Sequence, residues 1–340
     1  MVSVVLVHVL TMSFGVEPLK SGLCILRTTF TLPLFFFVSG FFLYRPLQQW
    51  DKKRIISAIK VRGTALFLGT IVFATIYYGA RSGKNTFLWV KNGDFEQYWY
   101  TISLFQIFLY YLVVVLLGKI MKAGVTWGII IAAVVVSFYF YIFDGGEYWC
   151  HWWMNKKTLF YIPYFAMGLT VRRFDKKFYS IIKRPMTLTV LIVIFVCAMG
   201  GKRELPNIYD SLYHPVIRVV SLIASFSASL LVITIFYTYR DYFDKETRFV
   251  RGWRFIGKRT LDIYFIHYFL LPHMRWVGPY MKLHNTFLVE LAAGLVVAAC
   301  VLAVTMGISA ILRRAPLIRN LLGAKGPVMP YNKSVEKSVI

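Results

Sequence analysis

Acidic side chains are scarce in this chain: 15 Asp and Glu stand against 39 Lys and Arg among 340 residues, a formal net charge of +24. Cysteine is sparse too, with four residues and no metal-type spacing, so a zinc-binding framework finds no support. No glycine-rich phosphate-cradling loop, heptad run or internal repeat is present. Long polar stretches are also missing. None reaches about 30 residues, which is too short for a separate soluble core.

What fills the chain is apolar. Hydrophobic residues make up 58% of it, mean hydropathy is +0.61, and runs of about 20 apolar residues recur along its length. The stretch "TFTLPLFFFVSGFFLYRP", residues 29–46, has no charge before Arg45. A soluble protein could not hide that much apolar surface, so the chain is read as living in lipid. The runs predict helices over residues 1–14, 25–44, 62–80, 98–118, 125–143, 158–171, 187–200, 214–239, 260–277 and 286–312. The expected fold is all-α, a polytopic transmembrane bundle of about ten spanning helices.

In a soluble protein the basic excess would point to nucleic acid. Here the charges alternate between loops, which is the signature of membrane orientation. Segments 45–62, 119–124, 172–186, 240–259 and 313–340 carry 6, 2, 6, 7 and 6 Lys and Arg, 27 in all, and the intervening loops with nearby helix ends carry 11, Arg27 among them. Both termini are therefore expected to be cytoplasmic, with residues 1–312 forming one membrane domain and 313–340 a basic, disordered cytoplasmic tail. No nucleic-acid partner is expected. Cys24 and Cys150 both map to the outer side, where a disulfide stays open as an alternative to two free thiols.

The first span is short for about 30 Å of hydrocarbon at 1.5 Å per residue. It has neither the basic start nor the small-residue cleavage site of a signal peptide. The reading therefore expects further residues ahead of Met1.

Chemistry is sought among polar groups inside apolar runs, because burying them costs several kcal/mol without a partner or a wet cavity. His8 lies in "VVLVHVLTM", Arg218 in "PVIRVVSL", and Asp262, Tyr264 and His267 in "TLDIYFIHYFLLP". His8 can take a proton from a hydroxyl near neutral pH; the blander reading is a neutral imidazole bonded to a neighbouring helix. Tyr264 shares a helix face with His267, whereas Asp262, five positions away, points elsewhere. Helix packing is the stronger reading for His267. Ser39 and Gln106 are weaker candidates, since uncharged polar residues commonly bond across helices. Lys60 and Arg62, in "SAIKVRGTALF", could hold phosphates, although positive-inside orientation explains them without a ligand.

The stretch "LPLFFFVSGFF" resembles the second-helix signature of the acyltransferase 3 family of integral-membrane acyltransferases, and "VVLVHVL" resembles the end of its His-bearing first helix. "YWYTISLFQIFLYYL", which includes Trp99, is similar to its aromatic helix, and "YIPYFAMGL" to its Pro-Phe-Phe-Gly segment. "IGKRTLDIYFIHYFLLP" resembles its Gly-Lys-x-Ser/Thr-Leu-x-Ile-Tyr-x-x-His helix. These matches follow family order from residue 4 to residue 272. The family also has an Arg about three turns before its first-helix His, a position that falls ahead of Met1.

The resemblance implies transfer of an acyl group, usually acetyl, from cytoplasmic acyl-CoA to a hydroxyl of a sugar, lipid-linked glycan or other cell-envelope acceptor, in a bacterial inner membrane. His8 would be the catalytic base, and Lys60 and Arg62 would orient the CoA phosphates. Ser39, Trp99, Asp262, Tyr264 and His267 would contact substrate. No metal or redox cofactor is implied. The rival class is a transporter or flippase of an amphipathic solute, which a helix bundle with buried His and Arg would equally serve.

Overall fold

A chain with this much apolar sequence satisfies its backbone hydrogen bonds within helices, because lipid supplies no alternative partners. The computed structural model describes residues 1–18, 21–44, 50–82, 96–121, 123–143, 150–151, 154–208, 214–284 and 287–323. The helices in chain order are α1 (Val2–His8), α2 (Gly22–Leu43), α3 (Lys52–Arg62), α4 (Gly69–Ser82), α5 (Trp99–Met121) and α6 (Ala123–Ile142). They continue as α7 (Lys156–Arg173), α8 (Asp175–Ile182), α9 (Pro185–Ile208), α10 (His214–Thr238), α11 (Arg240–Asp244) and α12 (Arg248–Lys258). The last four are α13 (Thr260–Ile266), α14 (Val277–His284), α15 (Phe287–Leu312) and α16 (Pro316–Leu321). The described strands are one antiparallel pair, Cys150–His151 with Met154–Asn155.

Among the described residues, six helical stretches are long and apolar enough to cross a membrane: Gly22–Leu43, Lys52–Ala80, Trp99–Ile120, Pro185–Lys202, Pro215–Thr238 and Phe287–Leu312. Val2–Ser13 and Thr126–Ile142 are apolar but shorter. The protein is thus a helical integral membrane protein. The run expected as one helix over 260–277 is not one. Its α-helix stops at Ile266, a 3₁₀ turn covers His267–Leu270, and Leu271 is extended with ψ 116. The cause is local: Pro272 pushes the residue before it out of the α region. The expected disordered tail is also corrected at its start, where 316–321 is helical; residues 324–340 lie outside the described residues.

Several ends show why the elements begin where they do. The Ser21 hydroxyl accepts from the Cys24 amide at 3.2 Å, capping α2, and donates to Glu290 at 2.6 Å, tying that end to the first turn of α15. Asp51 caps α3 through the Arg54 amide at 2.7 Å. Arg218 proves to be a helix-end device. Its guanidinium donates to the Ile142 and Tyr141 carbonyls at 3.1 and 3.4 Å, which neutralises the carbonyl end of α6. Cys24 is buried as a free thiol.

The tightest helix pair is α2 against α7. A Cβ on Gly40 would lie 2.1 Å from the Phe165 carbonyl oxygen, and one on Gly168 would lie 2.0 Å from that of Phe37. The two backbones touch through reciprocal glycines, as close helix packing in lipid requires. One apolar cluster gathers α1, α4, α13 and α15, with Val5, Leu10, Phe73, Phe265 and Val301 buried in it. A second gathers α2, α5 and α7 around Phe36, Phe108, Tyr161 and Phe165.

Candidate active site

His8 is the last residue of α1. The next turn, Val9–Ser13, is a π-helix, closed by the Phe14 amide donating to the Val9 carbonyl at 3.0 Å. Such local widenings recur at functional sites. His267 likewise stands where α13 gives way to a 3₁₀ turn. The two breaks face each other: the imidazole centroids are 5.2 Å apart and the rings stand at 86°. Tyr268 completes the group, with centroid distances of 4.8 Å to His8 and 4.0 Å to His267.

The hydrogen bonds define what each ring offers. Nδ1 of His267 lies 2.6 Å from the Ile263 carbonyl oxygen, and since a carbonyl only accepts, Nδ1 carries the proton. In the neutral ring Nε2 therefore presents a lone pair. That atom is buried and finds no partner among the described residues. The Tyr268 hydroxyl donates to the Gln97 carbonyl at 3.3 Å, so its oxygen faces His8 Nε2 at 3.5 Å. His8 Nδ1 is buried and unpartnered among the described residues as well. Buried polar atoms are normally satisfied, and each orphan costs about 1–3 kcal/mol. Two in one place make this the polar spot of an otherwise packed cluster.

Arg27, counted with the outer-loop charges from sequence, is a buried residue within α2, 8% exposed. It lies in electrostatic reach of His8, His267, Tyr268 and Tyr161. It therefore sits at the seam between the two apolar clusters. Its signal was present in "LCILRTTFTLP", where a lone cation interrupts an apolar run; starting the helix at residue 25 placed it at the end.

The other sequence candidates occupy different places. Tyr264 is buried and donates to the Gln97 carbonyl at 2.9 Å, joining the His267 side of the site. Trp99 stacks on Tyr161 at 5.5 Å under the Lys157 ammonium at 4.9 Å. The Ser39 hydroxyl donates back to the Phe35 carbonyl at 2.8 Å within its own helix. Gln106 accepts from the Thr158 hydroxyl at 2.6 Å, a cross-helix bond. Asp262 belongs to another network. It is fully buried and takes a two-point hydrogen bond from Arg313 at 2.6 and 2.7 Å, with the Ser309 hydroxyl donating and Arg259 at 3.9 Å. That contact holds the Arg313 guanidinium above its ordinary range.

Lys60 and Arg62 share α3 but not a face. Two residues on one helix project about 200° apart. Lys60 is exposed, whereas Arg62 is half-buried with its guanidinium 4.1 Å over the Phe108 ring. Arg62 also ends its α segment, and a π-helix follows at Gly63–Leu68. No metal-binding group of three or more His, Cys, Asp or Glu occurs among the described residues.

Fold and site together define a helical integral membrane protein with an ionisable centre between its helices. A family model described as an acyltransferase domain matches residues 1–314, so the chain belongs to the acyltransferase 3 family and is a membrane acyltransferase. No curated protein and no solved structure matches it.

Proposed function

We propose that this protein moves an acyl group, acetyl in the simplest case, from acyl-CoA on the cytoplasmic side to a hydroxyl of a sugar, lipid-linked glycan or other envelope acceptor, in a bacterial inner membrane. The observation that carries the mechanism is the His8–His267 pair with an unpartnered buried nitrogen on each ring. His8 acts as general base on the acceptor hydroxyl, which attacks the thioester carbonyl. His8 then returns the proton to the departing CoA thiolate. Burial of both rings keeps bulk water from the base and holds the reacting groups together.

Lys60, exposed on α3, serves the donor phosphates, while Arg62, on the opposite face over the Phe108 ring, is better read as packing; Trp99, Tyr264 and His267 line the approach to the reacting atoms. Ser39 and Asp262, assigned to substrate in the sequence reading, are better read as structural, because their hydrogen bonds are taken up within the protein. The bundle crosses the membrane about ten times with both termini in the cytoplasm.

The test is purified protein in proteoliposomes given labelled acetyl-CoA and a panel of saccharides. Saccharide-dependent release of CoA with label on a hydroxyl supports the proposal. Solute uptake with no CoA release would make the bundle a transporter instead.

A further inference from the structure

Three side chains with a formal charge are buried among the described residues: Asp262 at 0%, Glu290 at 6% and Arg27 at 8% exposure. Asp262 is answered by Arg313, and Glu290 accepts from Ser21. Arg27 alone makes neither a hydrogen bond nor an ion pair with any described residue, and its Nε is a buried orphan. An isolated buried guanidinium costs several kcal/mol, so a fold retains one only against a compensating use. It stands in electrostatic reach of both imidazoles and of the Tyr268 phenol. Geometry places it there: Thr31, one turn after Arg27 on α2, meets Ser3 of α1 at 3.4 Å, and α1 ends at His8, so the unpartnered Nε of Arg27 and the unpartnered ring nitrogens of His8 and His267 belong to one packed region.

We propose that Arg27 is the oxyanion-binding cation of this site, pairing with the thioester carbonyl oxygen as it becomes negative during acyl transfer. This rests on the acyltransferase reading above. The hydroxyl oxygen bonds to the carbonyl carbon, its proton passes to His8, and the carbonyl π pair moves onto oxygen opposite Arg27. When the C–S bond breaks, that pair reforms the carbonyl and the CoA sulfur leaves with the electrons and recovers the proton from His8. A cation reserved for a charge absent from the ground state stabilises the transition state selectively. Position favours this role over recognition of a charged acceptor. Arg27 faces the helix that carries the base, one turn from the Ser3–Thr31 contact between α2 and α1, whereas a charge elsewhere on an acceptor would sit farther from His8.

Arg27→Gln and Arg27→Lys in proteoliposomes test the idea, with acetyl-CoA as donor and a mixture of glucose, N-acetylglucosamine and glycerol as acceptors, water serving by default. Turnover in Arg27→Gln should fall about 10²- to 10³-fold, the usual loss of one oxyanion donor. KM for acetyl-CoA should stay within about threefold, because the interaction is absent from bound ground states. Arg27→Lys should recover part of the rate. Thermal unfolding of Arg27→Gln should occur at or above the wild-type temperature, since a buried unpaired charge has been removed. Normal turnover, a loss confined to KM, or a variant that is less stable or does not fold overturns the inference and leaves the acyltransferase reading intact. A wild type that releases no CoA overturns both.

Discussion

The rings of His8 and His267 meet edge to face, 5.2 Å between centroids, although 259 positions separate them in the chain. They arrive from opposite sorts of irregularity, a widened turn after one and a tightened turn at the other. Their roles differ because their hydrogen bonds differ. His267 is pinned by the Ile263 carbonyl at 2.6 Å, whereas the hydrogen-bonding neighbour of the His8 ring among the described residues is the Tyr268 hydroxyl at 3.5 Å.

The loosely held ring is the better proton carrier. His8→Gln should keep the fold and donor binding while turnover drops about 10²- to 10⁴-fold, the range of positioned acid-base catalysis. His267→Gln should cost less in rate and more in unfolding temperature, because it breaks the bond to Ile263. Near-normal turnover in His8→Gln together with none in His267→Gln would move the base to the other ring.

Asp262 and Arg313 fasten α13 to the end of α15. Asp262→Asn should destabilise the protein by about 3–5 kcal/mol, the cost of leaving one partner of a buried pair unanswered. Removing both charges with Asp262→Leu and Arg313→Leu should recover much of that loss. A double variant no more stable than Asp262→Asn argues that the pair does more than cancel its own burial.

Reciprocal glycines set the spacing of α2 and α7. Gly40→Ala or Gly168→Ala puts a methyl about 2 Å from a backbone oxygen, so the helices must part, at roughly 1–3 kcal/mol. Gly200→Ala, where nothing lies within 4 Å, is the control and should be neutral or slightly stabilising. Equal unfolding temperatures for Gly40→Ala and Gly200→Ala would deny the close contact.

Orientation can be read by labelling. A cysteine at Lys176 should react with an impermeant maleimide only in permeabilised cells, and one at Arg275 in intact cells, as the distribution of basic residues requires. The inverse pattern would turn the molecule over and put the donor site on the wrong side.

Much of the fold was legible because each long helix contains an apolar run and the runs are punctuated by charge, whereas the short basic helices α3, α8, α11 and α12 fall in segments read as loops. The site was legible only in part. His8, Tyr264 and His267 announced themselves as polar residues in apolar surroundings, and the structure brings them to one region. Arg27 did not, since a basic residue in the first turns of a span looks like one just outside when the boundary is uncertain. The extended Leu271 follows from Pro272 and could have been read. Neither π turn could: no residue type marks a widened turn, which arises from packing against helices distant in sequence. The Gly40 and Gly168 contact was visible only as two glycines in family-like segments, with nothing in either to say that they answer one another.

The two π turns have a consequence for how this chain tolerates length changes. Hydrogen bonds there skip to the fifth residue instead of the fourth, so each turn carries a surplus residue relative to the α-helix around it. Such a turn is an insertion that the helix has absorbed. At Gly63–Leu68 it lies between two α-helices, so Lys52–Arg62 and Gly69–Ser82 keep their faces although the sequence joining them is one residue, about 100°, too long for a continuous α-helix. In most transmembrane helices a one-residue deletion rotates a packed face out of place. Deleting a single residue from Gly63–Leu68 would instead let the helix relax to regular α geometry and leave the faces of Lys52–Arg62 and Gly69–Ser82 where they are.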